Sequence, residues 1–199
     1  MRRTQQERSD STRAALVGAA RELFGTRGYH DVPAEEITRT AGVTRGALYH
    51  HFGDKLGLFR AVVESVEREL TAEVSAVMTA SADPLVGMTT ALGTFLEACL
   101  RPEVQRISLT DAPAVLGWDA WREIEGEYGL GLLVSALTSA HAAGLIVDMP
   151  IGTLAQLILS AVMEAARMIA SASDQAAVLA ETQVVFAGWL GSLLRADHQ

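Results

Sequence analysis

The chain has 199 residues, 49% of them hydrophobic, and a formal net charge of −8, enough for a substantial core in one domain or in a small domain joined to a larger one. Cys99 is the only cysteine, which excludes an intramolecular disulfide and a cysteine-based metal site. The charge is split: residues 1–60 carry ten basic and seven acidic side chains, a balance of +3, while the remainder carries six basic and 17 acidic, a balance of −11, so one part is suited to meet an anion and the other is not. The run after Met1-Arg2-Arg3 is polar and no stretch reaches ~18 uninterrupted apolar residues, so neither a signal peptide nor a membrane span is expected and the chain reads as cytoplasmic.

Five prolines and few alternating runs predict an all-α protein of about nine helices. Residues 1–8 are polar and read as frayed. The first helix is predicted over residues 11–27. Leu16, Ala19, Ala20, Leu23 and Phe24 form its apolar face, Ser9 or Ser11 its cap, and Gly28 its stop. The second starts at Pro33, where a missing N–H costs nothing, buries Ile37 and Ala41, and ends at Gly42. Thr44 caps a third helix to about His51. Asp54 caps a fourth, with Phe59, Val62, Val63, Val66, Leu70, Val74 and Val77 on one face. Asp83-Pro84 opens a fifth helix to about Leu100. A short sixth spans residues 104–109, before a loop at Asp111-Ala112-Pro113. The long seventh runs from about Trp118 to Ala143, with Gly144 past its end. Asp148-Met149-Pro150 opens the eighth, to about Ala172, and Ser173 or Asp174 caps the ninth, to about Arg195.

Val32 to Phe59 carries the chemistry. Two short helices about a glycine turn, the second with polar residues facing outward, form the pattern of a helix-turn-helix that lays its second helix in the DNA major groove. Leu16, Leu23, Phe24, Ile37, Val43, Leu48 and Phe52 are the expected core of this part. That leaves Arg45, Gly46, Ala47, Tyr49, His50 and His51 turned outward or sideways. Arg45 can donate two hydrogen bonds to a guanine edge or hold a phosphate. Thr44 and Lys55 stand at helix starts, where backbone N–H groups also favour an anion. Taken alone, Tyr49 is more often a half-buried packing residue than a contact. His50 and His51 point about 100° apart and no third ligand is evident, so no metal is expected.

Ile37, Ala41, Gly42, Val43, Gly46, Leu48, Tyr49, His51, Phe52, Lys55 and Leu58, preceded by ALVGAARELFGTRGY, resemble the N-terminal domain of TetR-family transcriptional regulators. The resemblance covers about residues 11–60; the rest of the chain is similar only in helix count and order. It implies a helix-turn-helix DNA-binding domain over residues 1–54 and a larger ligand-binding and dimerisation domain over residues 55–199. It further implies a homodimer joined through the last two helices, operator DNA and a small-molecule effector as partners, and a repressor that ligand releases. By the same resemblance, Thr44, Tyr49, His51 and Lys55 would meet phosphates, and Arg45, Ala47 and His50 would face bases. Pro33 departs from the Ser or Thr common at that place in the family, and Thr38 from a common alanine. Contacts from helix two are therefore expected to be few.

In the larger part, Met88, Phe95, Cys99, Trp118, Trp121, Tyr128, His141, Met163 and Arg167 are candidate pocket residues, because concave apolar sites with aromatics and a few polar groups hold small ligands. For any single one of them ordinary core is the better reading, and Glu164 with Arg167 serves at least as well as a solvated i, i+3 pair. The apolar last two helices, with Phe186, Trp189, Leu190 and Leu193, suggest burial against a second copy. No Ser-His-Asp order, metal-ligand cluster or phosphate loop points to an enzyme, and no cofactor is expected. The rival readings are a scaffold or ligand-binding protein with a non-functional head, and a transcriptional activator.

Overall fold

The computed structural model describes residues 4–194. Met1, Arg2 and Arg3, and the predicted last helical residue Arg195, lie outside the described residues. The fold is all-α, as expected: among the described residues nine helices follow one another, and the only β pairing is an isolated antiparallel bridge between Ile146 and Leu194. α1 is Gln5–Arg27, α2 Ala34–Thr40, α3 Arg45–Phe52, α4 Lys55–Ala80 and α5 Pro84–Ala98. α6 covers residues 102–116, α-helical at Pro102–Val104, π-helical at Gln105–Asp111 and α-helical again at Ala112–Leu116. α7 covers residues 118–142, with π-helical Gly126–Leu130 between α-helical Trp118–Glu125 and Gly131–Ala142. α8 is Ile151–Ser171 and α9 Gln175–Ser192.

Three local expectations give way. α1 begins at Gln5 rather than at residue 11, because Thr4 and Glu7 form a capping box. The Thr4 hydroxyl accepts from the Glu7 amide at 3.2 Å and the Glu7 carboxylate accepts from the Thr4 amide at 2.7 Å, which satisfies two orphan donors and leaves Ser9 and Ser11 inside the helix. Pro33 precedes α2 as its cap instead of starting it, in extended backbone at φ −74° and ψ 150°. The loop predicted at Asp111-Ala112-Pro113 is helical. Pro113 falls in the first turn of Ala112–Leu116, where no helical donor is needed. Just before it, the Thr110 hydroxyl donates to the Gln105 carbonyl at 2.8 Å, five residues back, which is the spacing of a π turn.

The helices pack as two compact units, one of Met1–Val66 with Pro102–Trp121 and one of Glu67–Arg101 with Arg122–Gln199. The first is built on fully buried Leu16, Ala20, Phe24, Ile37, Leu48, Leu58 and Phe59; Leu23, Val43 and Phe52 are only half-buried. Phe24 meets Phe59 edge to face with ring centroids 5.3 Å apart, and Tyr29 lies 4.9 Å from Phe59, geometry that adds to the burial of the rings. Polar contacts hold α6 to this unit. Arg21 forks onto Glu103 at 2.5 and 3.1 Å, and Asp111 accepts from the Tyr29 amide at 2.7 Å.

The second unit has its own core, including Leu96, Leu137, Ile158, Val162, Ile169 and Phe186. Among the described residues α8 alone is long and apolar enough to cross a membrane by length and composition. Its buried residues Leu154, Ala155, Ile158, Leu159, Val162, Ala165, Ala166 and Ile169 recur at three and four, the stripe of a helix packed on a core.

The corner between α3 and α4 has no spare room. The Gly57 amide donates to Asp54 Oδ1 at 2.7 Å, which caps α4 as expected, and a Cβ on residue 57 would strike the Phe52 carbonyl oxygen, a backbone atom that cannot swing aside. Gly57→Ala should cost about 1–3 kcal/mol and lower the thermal midpoint by several degrees. Scanning calorimetry checks this; an unchanged midpoint would mean the corner has slack.

Candidate nucleic-acid interface and ligand cavity

Gly42, at φ 66°, makes the turn from α2 to α3, a left-handed conformation that glycine adopts without a Cβ clash. α3 has eight residues and spans ~12 Å, too short to be stable alone. Fully buried Leu48 pins it to the core, and the Thr44 hydroxyl caps it by accepting from the Ala47 amide at 3.3 Å. With that face anchored, Thr44, Arg45, Gly46, Tyr49 and His50 are exposed and Ala47 and His51 half-buried. Arg45 and Tyr49, one turn apart, share a side of α3, and the other expected contact residues are spread around its unanchored faces. Pro33 contributes no side-chain cap to α2, and the buried Thr38 hydroxyl donates to the Glu35 carbonyl at 3.0 Å. The His50 and His51 rings lie 5.1 Å apart; among the described residues no group of three His, Cys, Asp or Glu gathers as for a metal.

Arg45 has two polar partners within the protein. Its guanidinium is 2.8 Å from Glu35 Oε1 and donates to the Tyr49 hydroxyl at 3.0 Å. The Tyr49 hydrogen bond, then Glu35, raise the arginine's pKa further. Arg45 and Tyr49 therefore form one preorganised polar tip. Lys55 stands apart: its ammonium donates to the Tyr29 carbonyl at 2.7 Å and sits 4.0 Å from the Tyr29 ring centroid. Partial burial lowers its pKa, against a smaller opposite pull from Asp31.

Within the second unit, the latter half of α4 with α5, α7, α8 and α9 lines a cavity that opens to solvent, the space within and before its walls being about 820 Å³ with open solvent included. Its walls are apolar, among them Leu70, Val74, Leu92, Ile158 and Val162, apart from Glu67, Thr71 and Glu125. Of the candidate pocket residues, Met88, Phe95 and Met163 line it. The other six stand elsewhere. Cys99 is buried in packing that pushes its thiol up to about 12. Trp118 and Trp121 belong to the first unit, ring centroids 5.8 Å apart, with Trp118 58% exposed and Trp121 5%. Tyr128 accepts from Arg68 at 3.4 Å, and His141 Nε2 is 3.2 Å from Asp148 Oδ1. Arg167 pairs with Glu164 in solvent on α8. Apolar spacing marks which helix face turns inward, but it does not separate a face that closes on neighbours from one that lines a space.

The larger part of the chain, residues 85–193, matches the family model described as "Tetracyclin repressor-like, C-terminal domain", and residues 16–62 match "Bacterial regulatory proteins, tetR family". The chain belongs to the TetR family. A TetR-family transcriptional regulator from Pectobacterium atrosepticum is similar over 96% of this chain and 98% of its own, at 37% identity and a TM-score of 0.83. The transposon Tn10 TetC protein of Escherichia coli is 32% identical over 138 residues, 68% of each chain. The HTH-type transcriptional repressor BepR of Brucella suis is 46% identical over 63 residues, 32% of this chain and 30% of that one. The chain is thus a helix-turn-helix transcriptional regulator.

Glu35 is the carboxylate that meets Arg45. It lies on α2, and only the fold sets it against Arg45, ten positions on. A carboxylate there offsets the charge of Arg45 and would repel a phosphate brought near it. Glu35→Gln should tighten operator binding about two- to fivefold at low salt, less at high salt. Gel-shift titrations at two salt concentrations test this; weaker binding would mean that Glu35 serves to orient Arg45.

Proposed function

We propose that this regulator is a ligand-released repressor, a homodimer whose two α3 helices read operator DNA in the major groove while the apolar cavity takes a small-molecule effector. Residues 1–54 are assigned to DNA binding and residues 55–199 to ligand binding and dimerisation, with a place of work in the cytoplasm and no catalytic step. Arg45, Ala47 and His50 are assigned to base edges; Thr44, Tyr49, His51 and Lys55 to phosphates. For Lys55 that means sharing its ammonium with the Tyr29 carbonyl.

One observation carries the link between cavity and DNA. α4 is a continuous helix of 26 residues, ~39 Å long. Its first half places Leu58, Phe59, Val62 and Val63 in the core of the first unit. Its second half places Glu67, Leu70, Thr71, Val74 and Met78 on the cavity wall. A ligand that favours one setting of the second half biases the first half, and so the spacing of the paired α3 helices against ~34 Å of one DNA turn. The dimer assignment draws on the exposed Leu157 and Met168 of α8 and the exposed Val184 and Val185 of α9, a surface suited to a two-fold four-helix contact.

The test is a gel shift with DNA from the regulator's own promoter region. A salt-sensitive shift that a cavity-binding compound abolishes is expected. No shift at any salt concentration favours the scaffold reading, and a shift indifferent to cavity occupancy removes the ligand-release step.

A further inference from the structure

Glu125 is the one carboxylate on the cavity wall that is buried, at 7% exposure, and its Oε1 has no hydrogen-bond partner among the described residues. It occupies the last α-helical position of α7 before the π turn at Gly126–Leu130. π turns recur at functional sites because the extra residue re-aims side chains, and here Gly129, inside that turn, also lines the cavity. Glu67, from α4, brings a second carboxyl to the same wall.

We propose that the cavity selects an amphipathic organic cation, an apolar body with an amine head, and that Glu125 with Glu67 receives the head. This deepens the effector-site reading of the cavity and rests on it. An unpartnered buried carboxyl is costly unless something completes it. A cation both donates to the unpartnered Glu125 Oε1 and neutralises the buried carboxylate, in the field of a second acid on the same wall, whereas a neutral hydroxyl can donate to that oxygen but leaves the charge uncompensated. Apart from Thr71, the remaining walls are aliphatic and thioether groups with Phe95 and Gly129, suited to a flexible apolar body.

Titration gives the site a signature. Burial, reinforced by Glu67 and opposed by Arg122, raises the Glu125 pKa to about 7. Amine binding requires the carboxylate, so wild-type affinity should fall about tenfold from pH 8 to pH 6 as Glu125 takes up its proton.

The probes are dodecylamine, 1-dodecanol and dodecanoate, which share a twelve-carbon body and differ in head charge. Each is titrated calorimetrically into the full-length protein below its micelle concentration, with operator release read in parallel. Dodecylamine should bind at least tenfold more tightly than the other two. Glu125→Gln should remove that preference and flatten the pH dependence, and Glu67→Gln should reduce it by a smaller factor. Both variants keep side-chain shape, and neither amide carries a charge to bury, so folding should hold; circular dichroism monitors it. Equal or tighter binding of dodecanol or dodecanoate overturns the cation inference while leaving the cavity an effector site. Dodecylamine binding that Glu125→Gln leaves unchanged overturns it too. No binding by any of the three removes the effector-site reading and the inference with it.

Discussion

Val184→Asp combined with Val185→Asp should convert the proposed dimer to a monomer and weaken operator binding by at least 100-fold. Both valines lie on α9 with 73% and 67% of their surface exposed, and on α8 Leu157 and Met168 are 58% and 52% exposed. A soluble monomer seldom shows so many large apolar side chains on neighbouring helices without a partner for them. If a second copy covers them, each aspartate must be buried opposite apolar groups without a counter-charge, at several kcal/mol per buried ion. The protomer is not expected to suffer, because both sites face solvent in it and exposed substitutions change stability by only about half a kcal/mol. The DNA effect follows from linkage: two heads on one dimer turn the second half-site contact into an intramolecular event, worth about 10²–10⁴ in affinity. Light scattering reads the mass, circular dichroism the fold and a gel shift the affinity. A variant that stays dimeric would place the interface on another face.

What the sequence made legible was local. The α2–α3 corner is written in consecutive residues: Gly42 for the turn, Thr44 for the cap, Leu48 for the anchor. Each of these acts within a few positions, so reading them needs no knowledge of the fold. The Asp54 and Asp174 caps are of the same kind, with donors at Gly57 and Ala177. Some local signals were overridden by stronger-looking ones. Thr4-Gln5-Gln6-Glu7 has the spacing of a capping box, yet the polarity of the first eight residues argued for fraying. Pro113 argued for a loop, although an N-terminal helical turn accepts proline.

What was not legible depended on distance. Glu35 and Arg45 lie ten apart on different helices and no periodicity joins them. Trp118 and Trp121 have the composition of a ligand site, yet they pack in the first unit rather than around the cavity. Glu125 did leave a mark: it sits at helical spacing between Trp121 and Tyr128 beside buried Ile124, a place where a carboxylate is out of keeping unless something completes it. Reading that mark requires knowing that a space lies in front of it, which only the packing of α4, α5, α7, α8 and α9 supplies.

The second large effect is expected on α3. Arg45→Ala and Tyr49→Ala should each weaken operator binding about 10- to 100-fold while leaving the thermal midpoint nearly unchanged. Both side chains are exposed and contribute nothing to the core, so the loss reports on DNA alone. Leu48→Ala is the contrast: Leu48 is fully buried, and its truncation, at about 2–5 kcal/mol, should abolish binding by loosening the head and should lower the midpoint. Arg45→Lys and Tyr49→Phe divide the tip into its parts. Lysine keeps the charge but loses the planar fork, so a base-reading Arg45 should not be rescued, whereas a phosphate-holding one should be in large part. Phenylalanine keeps the ring and removes the hydroxyl that accepts from Arg45 at 3.0 Å. If Tyr49 acts mainly by steadying Arg45, Tyr49→Phe should cost little in Arg45→Ala and much in the wild type, a coupling that a double-mutant cycle measures directly. Salt titration separates the roles again. A phosphate contact, when removed, should lower the slope of log affinity against log salt by about one and weaken all sequences alike, while a base contact should leave the slope and relax the preference at one position. Wild-type affinity in both alanine variants would remove α3 from the interface and return the head to the role of a structural corner.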